Sequence, residues 1–292
     1  MKVKFIAEVS SNHNQNLSRC LKFIEKAAEI GCDAVKFQLF KVDKLFAPEI
    51  LAKSEEHRKR ARWELPVNFL PELFQKCHSL GLEFACTPFY LKAVEELKPY
   101  VDFYKIASYD ILRNNLLKLC AKTQKPILMS VGMATLPEID KAVEVLKGQK
   151  VKDLTLLHCV SNYPAKPKEC NLKIIETLRN KYRLKIGWSD HSVNSDIIYR
   201  AVYKWKSKVI EFHLDLEGKG REYKMGFSWL PDRIKKIIKD IKNNRIPEKD
   251  FIIVDGDGIK KPSKGEFKEM LWRADPKDGL RPLLKLRKML GY

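Results

Sequence analysis

Residues 3–38 read VKFIAEVSSNHNQNLSRCLKFIEKAAEIGCDAVKFQ. The stretch opens on a short apolar run (3–8) and crosses a segment in which Leu17, Leu21, Ile24, Ala27 and Ala28 recur at helical spacing. It ends on a second apolar run (33–38). Short, nearly continuous apolar runs belong to strands covered on both faces, and a helical crossover between two of them makes a parallel pair. The unit is therefore β-α-β.

The same unit repeats along the chain. Candidate strands lie at 3–8, 33–38, 82–87, 102–107, 126–131, 154–160, 184–188 and 208–214, and amphipathic faces recur at 67–80, 91–98, 111–122, 137–147, 171–181, 193–205 and 230–243. The shortest of these helices, 91–98, stops at Pro99. Eight βα units close most naturally as a TIM (β/α)8 barrel, a domain of about 250 residues, here 1–250. The competing doubly wound open sheet lacks support, because no G-x-G-x-x-G follows the first strand. Residues 39–66 are too long for a simple connection and read as a lid or oligomer contact. Beyond 245 the sequence turns rich in Gly, Lys and Asp, and residues 251–292 read as an extension too short for its own core.

Composition narrows the function. The 292 residues are 45% apolar and 32% charged, with 56 Lys+Arg against 37 Asp+Glu for a formal net charge of +19. A basic excess invites a nucleic-acid reading, but the 14 Arg and 42 Lys are scattered over helix faces and no nucleic-acid-binding motif accompanies them. A solvated lysine-rich surface that draws in anionic substrates is preferred. No apolar run approaches the roughly 18 residues of a membrane span, and the N-terminus reaches Glu8 too soon for a signal peptide, so a cytoplasmic protein without membrane partners is expected. Seven cysteines without a Cys-x-x-Cys pair argue against a disulfide framework or zinc knuckle. They read as small buried hydrophobes.

In such a barrel the C-terminal strand ends face the active site, and nearly every strand here ends in a polar residue. These are Glu8; Lys36 and Gln38; Thr87; Lys105 and Ser108; Ser130; His158 with Ser161, Asn162 and Tyr163; Ser189, Asp190 and His191; Glu211 and His213. A charge in an apolar strand is costly unless paired or engaged by a ligand, so Glu8, Lys36 and Lys105 converging on one mouth favour a site over three separate structural ion pairs. Two lysines and several hydroxyls suit a phosphate or carboxylate ligand. His191 and His213 end consecutive strands, close enough to share one divalent metal, although two histidines alone are a weak signal. His158 reads as a core residue, and His57 and His78 as exposed. Asp190 and Glu211 are candidates to orient the imidazoles, with structural pairing equally open.

At these residues the sequence resembles the sialic acid synthase family, which condenses phosphoenolpyruvate with an N-acylated amino sugar to give nonulosonic acids. The resemblance spans about 3–245 and rests on AEVSSNHNQN (7–16), AVKFQ (34–38), CTPF (86–89), YKIAS (104–108), SVGM (130–133), LLHCVSNYP (156–164), IGWSDHS (186–192) and IEFHLD (210–215). It implies that His191 and His213 hold a divalent ion, Mn2+ or Mg2+, that binds the open-chain sugar aldehyde. Lys36, Lys105, Ser108, Ser130 and Ser189 would hold the phosphate and carboxylate of phosphoenolpyruvate. Glu8 would act on the sugar or the attacking water, and Gln38, Asn162 and Tyr163 would line the sugar side. Thr87 and Asp190 complete the expected substrate-binding set. The implied chemistry is attack of the enol-phosphate C3 on the metal-polarised aldehyde, water addition at C2 and loss of phosphate. The resemblance also implies a homodimer.

Two departures follow. Where the family carries Gly-Pro-Asp after the eighth strand, residues 218–229 read GKGREYKMGFSW, which leaves a carboxylate role to Glu222 and the sugar specificity open. The family's C-terminal antifreeze-like domain, which lends an arginine to the partner's site, is expected to be absent. The tail, with Trp272, Arg273 and Arg281, is expected to cover the mouth or a dimer interface and to supply a substitute cation. The leading reading is a nonulosonic acid synthase serving surface glycan biosynthesis. A different metal-dependent carbon–carbon bond-forming barrel enzyme, acting on phosphorylated or carboxylated substrates, is the second. A basic nucleic-acid-binding or scaffold protein on a degenerate barrel is the third, and the intact strand-end set stands against it.

Overall fold

The computed structural model describes residues 2–245 and 252–291. Eight parallel strands follow one another around a closed sheet: β1 (Lys4–Glu8), β2 (Ala34–Leu39), β3 (Glu83–Pro88), β4 (Phe103–Ile106), β5 (Ile127–Ser130), β6 (Leu154–Cys159), β7 (Lys185–Asp190) and β8 (Val209–Leu214). Closure is made by β1 pairing with β8 as well as β2. Helices Leu17–Glu29, Leu70–Ser79, Leu91–Leu97, Asn114–Lys122, Leu136–Gly148, Ile174–Tyr182, Ser195–Tyr203 and Pro231–Lys242 cover the outside. The architecture is the expected TIM barrel. Element ends differ from the sequence reading by a few residues, β7 running on to Asp190, and a two-residue strand β9 (Ser228–Trp229), not expected, pairs in parallel with the end of β8.

Helix starts follow their caps. The Asn16 side chain accepts from the Arg19 amide at 2.8 Å, and Thr135 with Glu138 forms a reciprocal capping box. The main core fills the layer between sheet and helices, and a second cluster of Ile6, Ala34, Ala85, Phe103, Leu128, Leu157 and Val209 plugs the barrel interior. Side chains alternate along a strand, so two residues beyond each plug residue the chain points inward again. Those next positions are Glu8, Lys36, Thr87, Lys105, Ser130, Cys159 and Glu211. The apolar plug is thus the floor of a polar ring. At the corresponding place in β7, a Cβ on Gly187 would lie 2.5 Å from Leu157 Cδ2 and 2.7 Å from the Val209 carbonyl, so only glycine fits beneath Ser189.

The segment after β2 folds into short helices, Val42–Leu45, Pro48–Lys53 and Glu55–Arg58. It meets the tail directly: Arg281 N donates to the Leu45 carbonyl at 2.8 Å and Ala47 N to the Arg281 carbonyl at 2.9 Å. Phe40, Val42, Leu45, Phe46 and Phe89 form a small core there, against which Trp63 and Trp272 pack. Farther along, Asp255 accepts from Arg200 Nε at 2.9 Å and from Trp205 Nε1 at 2.6 Å, tying the tail to the barrel wall. The expected boundary at 250/251 lies outside the described residues. All seven cysteines are buried and unpaired. Among the described residues no helix is long and apolar enough to cross a membrane.

Two histidines outside the strand-end ring are buried as neutral groups. Burial holds His13 down at about 4 and His158, whose Nε2 faces the Cys170 carbonyl at 2.7 Å, at about 3. Both folded-state values lie below the unfolded value near 6.5, so between these limits the unfolded chain binds the extra protons. Their stabilisation is full above about pH 6.5 and fades as pH falls towards 4. The unfolding free energy is expected to drop by about 1.4 kcal/mol per pH unit per histidine below pH 6, a slope that urea titrations will find flattened in His13→Gln and His158→Gln.

Candidate active site

A cavity of about 600 Å³ opens at the C-terminal ends of the strands. Its floor is two ion pairs. Glu8 pairs with Lys36, set side by side by the β1–β2 register, and Lys105 Nζ lies 3.4 Å from Glu211 Oε1. Gln38 Nε2 donates to Glu8 Oε1 at 2.8 Å, and Ser189 Oγ to Glu211 Oε1 at 3.0 Å. Lys36 also reaches Thr87 Oγ1 at 3.4 Å.

The two lysines are unequal. Burial pulls Lys36 down, but Glu8 and Glu211 outweigh it and leave its pKa raised. For Lys105 burial wins over the longer contact with Glu211, and its pKa is lowered. Burial would raise Glu211, yet Lys105 and Lys36 bring it to about 2. Lys105 is therefore the cation with the most to gain from an incoming anion. Beside it, Ser108 and Ser130 line the cavity, and Ser108 Oγ accepts from the Gly132 amide at 3.0 Å.

His191 and His213 stand with ring centroids 5.4 Å apart. His191 Nδ1 lies 2.8 Å from the Val160 carbonyl, and His213 Nδ1 lies 2.7 Å from Glu222 Oε2. Acceptors at both Nδ1 positions fix the proton there and leave each Nε2 lone pair for a ligand. Burial, then His213, lowers His191 to about 3, which keeps it neutral as a metal ligand must be. Burial lowers His213 as well, but Glu222 outweighs it and raises the pKa. Among the described residues no cluster of three or more His, Cys, Asp or Glu is arranged for a metal. Two imidazoles alone fit an open divalent site whose other positions go to water and substrate oxygens.

Glu222 is the hub behind His213. Its Oε2 also accepts from Asn12 Nδ2 and Ser228 Oγ, each at 3.2 Å. Tyr163 packs on His191 at 4.3 Å between centroids and edge-on to Phe227 at 5.0 Å. Of the expected site residues, Glu8, Lys36, Gln38, Thr87, Lys105, Ser108, Ser130, Tyr163, Ser189, His191, His213 and Glu222 all line the one cavity.

Two of the expected substrate residues lie elsewhere. Asn162 Nδ2 donates to Glu169 Oε2 at 3.1 Å and Ser263 Oγ at 3.4 Å, because consecutive residues of the turn after β6 diverge and Tyr163 takes the inward place. Asp190 has the opposite parity to Ser189 and faces out of the barrel. Fully buried there, it accepts from Trp188 Nε1 at 3.1 Å and Trp229 Nε1 at 2.9 Å. Neither Asp190 nor Glu211 orients an imidazole; the Val160 carbonyl and Glu222 do. Arg273 is buried in an ion pair with Glu138 at 2.9 Å, away from the mouth. Arg281 and Trp272 do line it. Arg281 Nη2 donates to Asp110 Oδ2 at 2.7 Å and its guanidinium lies over the Tyr109 ring at 4.5 Å.

The sequence reading took His57 as exposed, but it is half-buried and stacks on Trp272 at 5.1 Å. His78 is solvent-exposed and pairs with Asp102 at 2.9 Å. Ser10, Arg60, Trp63, Tyr109, Arg221 and Glu269 also line the cavity and were not foreseen. Apart from Ser10 they come from helical turns of three to six residues, too short for a periodicity to mark an inward side chain.

Fold and site together define a (β/α)8-barrel enzyme whose mouth holds two buried ion pairs and a facing pair of histidines. Residues 23–249 match the NeuB family. The chain is 35% identical over 284 residues to N,N'-diacetyllegionaminic acid synthase of Campylobacter jejuni, covering 92% of this chain and 82% of that protein. It is 33% identical to a pseudaminic acid synthase of the same species, over 82% of this chain and 73% of that one. Among solved structures, N-acetylneuraminic acid synthetase of Leptospira borgpetersenii in complex with citrate superposes with a TM-score of 0.77 at 30% identity, covering 92% of this chain and 90% of that one. The chain belongs to the NeuB family.

Replacing Glu222 by Ala removes the acceptor that fixes His213. Manganese affinity, read from the spectrum of the free ion by electron paramagnetic resonance, is expected to fall about 10–100-fold while the fold is kept.

Proposed function

We propose that this nonulosonic acid synthase joins phosphoenolpyruvate to an N-acylated amino sugar of the N-acetylmannosamine kind, releasing phosphate, through the residues of the strand-end ring. The observation that carries the residue assignment is the underpaired, buried Lys105 beside Ser108 and Ser130 on the floor of one cavity that also holds the histidine pair. Phosphoenolpyruvate brings several negative oxygens, and Lys105, Lys36 and the hydroxyls of Ser108, Ser130 and Ser189 receive them. Glu8 and Glu211 balance the lysines before substrate arrives, so the charged floor folds without it.

His191 and His213 would hold a divalent ion, Mn2+ or Mg2+, through Nε2, and such an ion would supply Lewis-acid polarisation to the sugar aldehyde oxygen. Gln38 and Tyr163 hold the sugar against the histidine pair, with C1 towards phosphoenolpyruvate C3. As C3 bonds to C1 and the aldehyde π bond breaks, the positive charge developing at C2 is met by water, and Glu8, held by Gln38, takes a proton from that water and passes it to the former aldehyde oxygen, which becomes a hydroxyl. Loss of phosphate from C2 then gives the ketone, and the lysines stabilise the departing anion. At the mouth Arg281 supplies the cation that faces the sugar, and Trp272 with the segment after β2 excludes water. On this reading residues 251–292 are part of the barrel's site rather than a separate domain. The protein is taken to act as a cytoplasmic homodimer that uses neither nucleic acid nor membrane.

The test is phosphate release from phosphoenolpyruvate with manganese across a panel of N-acylated hexosamines. Release with one sugar, abolished in His191→Ala and His213→Ala, is expected; absence of any phosphoenolpyruvate binding overturns the reading. With that sugar, Arg281→Ala is expected to raise the sugar KM about tenfold, the size of one charged hydrogen bond, and to leave the phosphoenolpyruvate KM unchanged.

A further inference from the structure

Glu266 lies in the tail, outside the active cavity, and is 3% exposed. Its Oε1 accepts from two backbone amides, Met133 N at 2.8 Å and Ser161 N at 2.7 Å, and its Oε2 accepts from Ser263 N at 2.9 Å. The buried Lys260 ammonium feels the Glu266 charge, and no ion pair joins the two among the described residues. The direct contacts of this buried carboxylate are hydrogen bonds, and two of the three come from separate barrel loops.

Those loops carry the anion-binding wall. Met133 is the third residue after Ser130, and it sits at a φ of 48°, in the left-handed region. Gly132, between them, gives its amide to Ser108 Oγ at 3.0 Å. A Cβ on Gly132 would fall 2.5 Å from Ser161 Oγ, 2.7 Å from Cys159 Sγ and 3.1 Å from Ser108 Oγ. The turns after β4, β5 and β6 are therefore in direct contact behind Ser108 and Ser130, and any drift of one is a drift of the wall. A second cavity of about 310 Å³, lined by Glu266, Lys260 and His158, lies on the outer side and shares Cys159 with the active one. Loops with an open space behind them need an anchor, and one carboxylate oxygen provides it to both.

We propose that Glu266 is a positioning residue for phosphoenolpyruvate, fixing the turns after β5 and β6 so that Ser108 and Ser130 meet the anion. The inference rests on the proposed function and assigns the tail a role at the phosphate side of the site, in addition to its place at the sugar side. In Glu266→Ala the phosphoenolpyruvate KM is expected to rise at least about tenfold, from the loss of two hydrogen bonds to a charged group, with the amino-sugar KM within about twofold. Glu266→Gln keeps an acceptor for Met133 and Ser161, and is expected to restore most of the affinity. Arg287→Ala serves as the control, since it breaks a buried tail ion pair with Asp278 and touches neither loop. A folded Glu266→Ala with unchanged phosphoenolpyruvate KM, an equal rise in both KM values, or the same split in Arg287→Ala each overturns the proposal. Amide exchange at Met133 and Ser161 reads the anchor without turnover: faster exchange in Glu266→Ala is expected, and unchanged exchange refutes the anchor. If the wild-type protein binds no phosphoenolpyruvate, the function falls, and the exchange data still decide whether Glu266 holds the loops.

Discussion

Four charged side chains buried at the mouth of a closed sheet set the conditions for everything around them. Lys36 and Lys105 are 3% and 4% exposed, and an isolated ammonium at that depth would cost several kcal/mol. Glu8 and Glu211 remove that penalty, so the site is electrically balanced before any ligand enters. Balance has a functional side too. Lys36 is satisfied by two carboxylates, whereas Lys105 has one at a longer distance, and the asymmetry marks where a further anion is stabilised most. Buried ion pairs contribute little net stability, so these pairs are better explained as a charged surface kept ready for a charged substrate.

The ring exists because a strand has a period of two. Ile6 and Glu8, Ala34 and Lys36, Phe103 and Lys105, and Val209 and Glu211 each face inward one step apart, so the same residues that close the floor with hydrocarbon lift the charges above it. A register slip of one residue would turn Val35 and Phe37 inward and bury Lys36 among the helices. Fold specification and site assembly are the same event in this part of the chain.

This is also why so much was legible in the sequence. Strands buried on both faces read as apolar runs, and single charges within them stand out, so the strand order, the barrel and the lysine, glutamate and histidine set could be read directly. Parity was the finer signal: Asp190 follows an inward Ser189, and its outward place between Trp188 and Trp229 was available from alternation alone. Asn162 and Arg273 had no such rule behind them. They lie in a turn and a tail without a repeating period, where direction is set by contacts with distant segments such as Glu169 and Glu138. Glu222 was found by position after β8, but its hold on His213 depends on the turn at Arg221–Lys224 folding back to the strand end.

The cavity accordingly has two kinds of wall. Its floor comes from strand ends, where the backbone under each side chain is tied to the neighbouring strands by ladder hydrogen bonds. Its rim comes from the segment after β2, from the turn between β8 and β9 and from the tail, which reach one another through few backbone contacts such as those of Arg281 with Leu45 and Ala47. Loops of this kind change sequence at little cost to the barrel. A reaction in which one substrate is a fixed small anion and the other a variable sugar suits that division: the rigid wall receives what does not vary, and the replaceable wall meets what does. The tail crosses the division, since Arg281 stands at the rim while Glu266 holds the loops behind the floor, so closing the tail over the barrel completes both walls together.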